Sequence, residues 1–289
     1  MTLPNFDDVW DFSKPDETEQ KFRALLPQAK ENGDATYHAE LLTQLARTLG
    51  LQQKFDAAHK VLDCAEPLLS ETMPRARARY LLERGRAFNS AGATQEARPL
   101  FVEAWELAKQ TGEDNLAVDA AHMVAIVESG EDALMWNLKA LELAEASAQE
   151  KARNWRGSLL NNIGWTYHDQ EDYQAALSHF ERALEVRKEA GKVEPIRIAQ
   201  WCIGRTLRSL GRIEAALSLQ QATLQEYEAD GEKPGYTYEE IAECLLALGR
   251  QDEARPYFKQ AVAALAEDIW LTRDEPERLE RLKRLGDGG

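Results

Sequence analysis

Six alanines, Ala58, Ala97, Ala133, Ala176, Ala216 and Ala254, recur along the 289-residue chain at intervals of 39, 36, 43, 40 and 38 residues. The same surroundings return with each of them. Twelve residues before the anchor stands a small residue (Ala46, Gly85, Ala121, Gly164, Gly204, Ala242), and seven after it another (Ala65, Ala104, Ala140, Ala183, Thr223, Ala261). Nine before it the side chain is bulky: Leu49, Phe88, Val124, Tyr167, Leu207, Leu245. A period of this length marks a stack of small units, none of which can bury its apolar face alone. In the fourth copy Leu160, Ile163, Gly164 and Tyr167 lie on one helical face, Ala176, Phe180 and Ala183 on a second, and His168 to Asp172 form a polar turn. Each copy therefore predicts a helix pair whose backbones approach closely at the small residues.

The Leu, Gly, Tyr, Ala, Phe and Ala of that copy resemble the tetratricopeptide repeat, and the resemblance extends over residues 36 to 270. The spacing exceeds the usual unit of about 34 residues and is similar to long-helix variants such as those of kinesin light chain. The resemblance implies an all-α, right-handed superhelical solenoid of about six antiparallel helix pairs with N- and C-terminal capping helices. Composition agrees: 42 Ala and 37 Leu stand against 9 Val and 8 Ile, a helix-forming bias. The expected layout is a leader over 1–14, a capping helix over 15–33, the array over 34–272, and a closing helix with tail over 273–289. The first capping helix carries Phe22, Leu25, Leu26 and Ala29 and stops at Gly33; Leu279, Leu282 and Leu285 stripe the last, and Gly286 to Gly289 should fray. Two copies depart from the pattern. Four residues after the anchor, where Leu62, Phe101, Phe180 and Phe258 are bulky, stand Asn137 and Gln220. A one-residue shift of the third copy would let Trp136 take the bulky role.

In this family the first helix of each pair lines a concave groove. The resemblance thus implies that residues eleven before each anchor, Arg47, Arg86, His122, Trp165, Arg205 and Glu243, face a ligand, with Asn89, His168 and Arg208 one turn later. Asn161 and Trp201 lie one turn earlier and Arg79 two turns earlier, and Asn162 adjoins Asn161. Guanidinium forks pair with carboxylates and tryptophan faces dock apolar groups, so the expected partner is a protein or peptide segment that is partly acidic. Glu239, Glu240 and Glu243 reverse the sign in the sixth copy, so that end should prefer a basic segment. Glu83 with Arg86 also reads as a solvated surface pair. The basic pair of a chaperone-tail clamp is missing beside Asn161, Asn162 and Trp165, where Ile198 and Cys202 follow. The leader's Phe6, Trp10 and Phe12 either pack on the first helices or enter such a groove.

Several classes are set aside. The net charge of −15 repels phosphate backbones, which argues against nucleic acid. No apolar run is long enough to span a membrane. The leader lacks the basic residues of a signal peptide, and Cys64, Cys202 and Cys244 are too sparse for a disulfide framework. A cytoplasmic location follows. No HExxH, GxSxG, P-loop or dinucleotide motif is present, and the histidines lack zinc spacing with the cysteines. No catalytic residue, cofactor or metal is expected. The first functional reading is an adaptor that docks a partner peptide in a concave groove, favoured because the array fills the chain. The alternatives are a peptide-responsive regulator and a scaffold that self-associates through the leader or end helices.

Overall fold

The computed structural model describes residues 3–288, apart from the side chain of Trp270; residues 1 and 2 of the leader and Gly289 of the expected tail lie outside the described residues. Among the described residues there are seventeen α-helices, one 3-10 turn (Glu66–Leu68) and no strand. The chain divides into two compact units, residues 1–159 and 160–289. Unit 1 opens with α1 (Phe6–Val9) and α2 (Pro15–Glu31). Three helix pairs follow: α3 (Ala35–Leu51) with α4 (Phe55–Ala65), α5 (Pro74–Ser90) with α6 (Thr94–Gln110), and α7 (Asp114–Val127) with α8 (Gly130–Ala146). A short α9 (Glu150–Arg153) leads into α10 (Arg156–Asp169), most of which belongs to unit 2. Unit 2 continues with α11 (Tyr173–Ala190), the pair α12 (Val193–Ser209) and α13 (Ile213–Ala229), and the pair α14 (Gly235–Ala247) and α15 (Gln251–Leu265). It ends with α16 (Ile269–Asp274) and α17 (Pro276–Asp287).

The repeat register becomes packing within each pair. A Cβ on Gly85 would stand 2.4 Å from the Phe101 ring, and one on Gly164 2.6 Å from Phe180. The bulky residue of the second helix thus lies directly on the small residue of the first, sixteen positions earlier. All six residues seven after the anchors are fully buried. Five of the six pairs turn in the same way. The amide four before the anchor donates to the carbonyl nine before it, at 2.9 Å in each case (Lys54 to Leu49, Ala93 to Phe88, Asp172 to Tyr167, Arg212 to Leu207, Arg250 to Leu245). The residue between them is left-handed, glycine in three copies but Gln53 (φ 59°) and Glu171 (φ 61°) in two.

The third pair lacks that turn, but its register is not shifted. Asn137, Ala140 and Ala144 are buried in α8 as Phe101, Ala104 and Ala108 are in α6. Asn137 keeps the bulky position, while Trp136 packs edge-on against Trp105 at 5.9 Å. In the fifth pair Gln220 is fully buried and donates its amide N–H to the Trp201 carbonyl at 3.0 Å, while its Oε1 is left buried without a hydrogen-bond partner.

The end helices cover exposed faces. Phe22 of α2 is fully buried in a cluster with Phe6, Leu41, Leu45 and Leu62. The leader's Phe6 meets Phe22 edge-on at 6.1 Å, and Tyr37 donates to the Pro4 carbonyl at 3.0 Å. In α17 Leu279 and Leu282 are buried against α15. The expected fraying at Gly286 does not occur: that residue is buried in the helix, where its small size permits contact with Lys259 and Phe258.

Candidate functional site

The first helices are stitched together by a repeated cross-link. The residue eleven before one anchor meets the residue fourteen before the next. Arg47 lies 3.9 Å from Glu83, Arg86 pairs with Asp119, and Arg205 donates to Glu240 at 2.5 Å. At the C-terminal end the polarity is reversed, Glu243 accepting from Arg281 of α17 at 3.1 Å. The three-residue offset is close to one helical turn, so the first helices joined by these links are staggered against one another. The recurrence of arginine in this register therefore has a structural cause. Arg86 is not the solvated pair its sequence suggests: with Glu83 at 2.5 Å it is largely buried. Burial alone would lower its guanidinium, but Asp119 and Glu83 outweigh that and hold it above its ordinary value.

Unit 1 holds an open cavity of about 910 Å³. Arg47 of α3 and Arg75 and Arg79 of α5 line it, with Trp10 and Phe12 of the leader and Trp155 beyond α9. None of these three arginines makes a hydrogen bond with a described residue. Their nearest carboxylates are Glu83 at 3.9 Å from Arg47, Glu40 at 3.8 Å from Arg75, and Glu40 at 3.3 Å from Arg79. The Arg79 Nε, the atom nearest Glu40, is buried without a hydrogen bond. Burial and the neighbouring Arg86 lower the Arg47 guanidinium. Burial likewise raises the Glu40 carboxyl, which Arg79 and Arg75 offset only in part. The aromatic groups are fixed by their indole N–H groups: Trp10 donates to Gln44 at 2.7 Å and Trp155 to Asn115 at 3.1 Å. Phe12 stacks face to face on Trp10 at 4.4 Å and stays 64% exposed. Lys151 bonds the leader's Asp7. His122 packs against Trp155 at 5.3 Å, and burial lowers its pKa.

Unit 2 holds a second cavity, of about 820 Å³. Trp165, Trp201 and Tyr236 form a run of rings along it, with centroids 5.8 and 6.1 Å apart. Trp201 is anchored by its N–H to the Tyr236 carbonyl at 3.1 Å. The arginines here are paired with carboxylates. Arg208 donates twice to Glu240, at 2.8 and 3.0 Å, and Arg278 twice to Glu239, both at 2.8 Å. The acidic residues of the sixth copy therefore do not offer an open surface to a basic segment. Glu239, Glu240 and Glu243 are each taken by arginines of the adjoining helices.

Of the residues expected from sequence, Arg47, Arg79 and Arg86 line the first cavity and Trp165, Trp201 and Arg205 the second. Arg208 stands behind Glu240, and His168 turns to Ser209 at 3.0 Å. Asn161 accepts from the Cys202 thiol at 3.5 Å. Asn89, Asn161, Asn162 and His122 are not among the lining residues. The repeat register does not point to Arg75, Trp155 and Tyr236, whereas Trp10 and Phe12, expected either on the first helices or in a groove, line the first cavity. Arg75 was within reach, being one turn before Arg79 on the same face; Tyr236 continues Trp165 and Trp201 by one turn per copy.

No catalytic constellation is assembled among the described residues. Burial pushes the thiols of Cys202 and Cys244 up to about 12, which removes them as nucleophiles. The Ser209 hydroxyl near His168 also lies 3.3 Å from the Arg205 carbonyl, a helix-internal bond. No helix among the described residues is long and apolar enough to cross a membrane.

The sequence profile of the tetratricopeptide repeat matches residues 115–189 and 196–267, just over half of the chain. The chain belongs to the tetratricopeptide repeat family. It is 27% identical over 152 residues, 53% of its length, to the outer dynein arm-docking complex subunit 4 of Danio rerio, and spans only 31% of that protein. Among solved structures it resembles the apo form of RapI, with a TM-score of 0.76 at 14% identity over 97% of this chain and 77% of that one. It also resembles NprR in complex with its cognate peptide NprX, with a TM-score of 0.59 at 18% identity over 96% and 82%. At these identities the likeness is one of fold.

Proposed function

We propose that the chain is a peptide-responsive regulator that holds a carboxylate-bearing peptide segment in the cavity of unit 1. One observation carries this reading: Arg47, Arg75 and Arg79 face one cavity with no hydrogen bond to a described residue, while the arginines around Glu239 and Glu240 hydrogen-bond those carboxylates. An incoming carboxylate would complete the bidentate geometry that Glu83 and Glu40 leave unmade. Trp10 and Trp155 supply apolar docking beside it. The fold likeness to RapI and to peptide-bound NprR supports a regulator ahead of an adaptor. The adaptor reading draws on the likeness to a docking-complex subunit.

The finer assignments belong with this reading. The 36 to 43 residue spacing favours a long-helix variant of the kinesin-light-chain kind. We read the protein as non-enzymatic and cytoplasmic, with three free thiols, and without a nucleic-acid partner at a net charge of −15.

The test uses N-acetylated pentapeptides with glutamate or glutamine at the centre, titrated against the wild type and Arg47→Ala/Arg79→Ala. The glutamate peptides bind more tightly to the wild type, and the double variant removes that preference. Equal binding to both proteins would refute the site. Compaction in small-angle scattering on peptide binding favours the regulator; an unchanged profile favours the adaptor.

A further inference from the structure

We propose that the cavity of unit 2 is a second docking site, which takes a peptide segment where an arginine or lysine stands beside a bulky apolar side chain. The inference stands on unit 2 alone and survives if unit 1 binds nothing acidic.

The cavity has a fixed aromatic wall. Trp201 is held by Tyr236, Trp165 meets Phe180 edge-on at 5.2 Å, and Arg278 already lies over the outer part of the Tyr236 ring, 5.7 Å from its centroid. Ile198, 39% exposed, extends the wall as an apolar shelf. Such a surface binds an apolar side chain, and its ring faces attract a cation.

The charge around it selects the sign. Each lining arginine is paired: Arg205 with Glu240, and Arg278 with both Glu239 and Glu275. An acidic ligand would find no guanidinium without a carboxylate already beside it. The carboxylates are in excess. Asp169 and Glu194 line the cavity and form no hydrogen bond or ion pair with a described residue. Glu232 must share Arg197 with Asp230 and Glu226. Lys233 is the one lining base outside these pairs among the described residues. The phenols of Tyr227 and Tyr236 are both pushed up to about 12, chiefly by burial, with Glu194 and Asp268 adding to it. A second copy of the chain or a small amine could exploit the same chemistry only by presenting a cation, and the size of the cavity favours a segment of several residues.

The probe is a fluorescent pentapeptide, acetyl-Gly-Leu-Arg-Leu-Gly-amide, beside its citrulline and glutamate analogues, followed by anisotropy at low salt. Two exposed carboxylates give the arginine peptide an advantage of about fivefold over citrulline. Asp169→Asn/Glu194→Gln removes that advantage without lowering the thermal midpoint, since neither side chain is bonded. Trp201→Phe weakens all three peptides. Arg47→Ala/Arg79→Ala leaves the arginine peptide unaffected, which separates this site from that of unit 1. Equal binding of arginine and citrulline peptides, a preference for glutamate, an advantage that survives the double substitution, or no binding at millimolar peptide would each overturn the proposal. Sedimentation in the absence of peptide must show no growth with concentration; a dimer lost in Asp169→Asn/Glu194→Gln would make a second copy the occupant instead.

Discussion

Glu240 of α14 accepts hydrogen bonds from Arg205 and Arg208 of α12, and only 1% of its side chain is exposed. One buried carboxylate thus ties two arginines on the preceding first helix, thirty-five and thirty-two residues away. A pair of this kind differs from a surface ion pair. Its carboxylate has left water and its arginines have done so in part, so what matters is the cost of removing that shared acceptor.

Glu240→Ala should therefore destabilise unit 2 by about 3 kcal/mol, because it leaves two guanidinium groups, 30% and 22% exposed, without their shared acceptor. Glu243→Ala breaks an ion pair whose arginine is 45% exposed and should cost under about 1 kcal/mol. Urea denaturation of both variants checks the contrast; equal losses would contradict it.

The same carboxylate gives unit 2 an acid limit. Burial would raise the Glu240 pKa, but Arg208 and Arg205 outweigh it and hold it below the unperturbed 4.5. A depressed folded value contributes stability above the unfolded pKa, and that contribution is lost as pH falls through the folded value. The urea midpoint should drop on acidification below about pH 4.5, and Glu240→Gln should flatten that dependence. Glu40 has the opposite sign, since burial raises it. Its protonation favours the folded state, so Glu40→Gln should steepen the acid loss.

Gly164→Ala places a methyl 2.6 Å from the Phe180 ring, and the pair must separate or the ring must leave its rotamer. The expected loss is about 1 to 3 kcal/mol, relieved when Phe180→Leu is added. Gly50→Ala in α3 meets nothing within 4 Å and should stabilise by roughly 0.5 to 1 kcal/mol. Thermal melts of the three variants test the register directly.

The leader divides into a structural and an exposed part. Phe6, 7% exposed against Phe22 and Tyr37, should cost about 3 kcal/mol when changed to Ala. Phe12→Ala should leave stability within about 0.5 kcal/mol while weakening glutamate-peptide binding to unit 1. Binding unaffected by Phe12→Ala would remove the leader from the site.

Much of this fold is legible because its packing repeats. Gly164 under Phe180 and Gly85 under Phe101 are spacings that any reader of the chain can count. Asn137 and Gln220 look like errors in that count, yet they keep the register; Gln220 does so by bonding the Trp201 carbonyl, a partner nineteen residues away that no local pattern shows. The candidate site was harder to read. Helical register places Arg47, Arg86 and Arg205 on the inner face, but it cannot tell which of them an acid on the next copy has already engaged. That depends on the stagger between neighbouring first helices, which sets Glu83, Asp119 and Glu240 opposite them. Trp10 and Phe12 reach the cavity from outside the repeats, so no periodicity points to them.

The reversed link at Glu243 and Arg281 has a consequence for how such a chain can be rebuilt. The links make neighbouring copies specific for one another, as teeth on a key are for one lock. Moving the sixth copy into the second place would set Glu243 against Asp119, acid facing acid, where Arg86 stands now. The order of the copies is thus written in the sign of their charges, and segment shuffling or insertion of an internal duplicate should succeed only where the joined faces carry opposite signs.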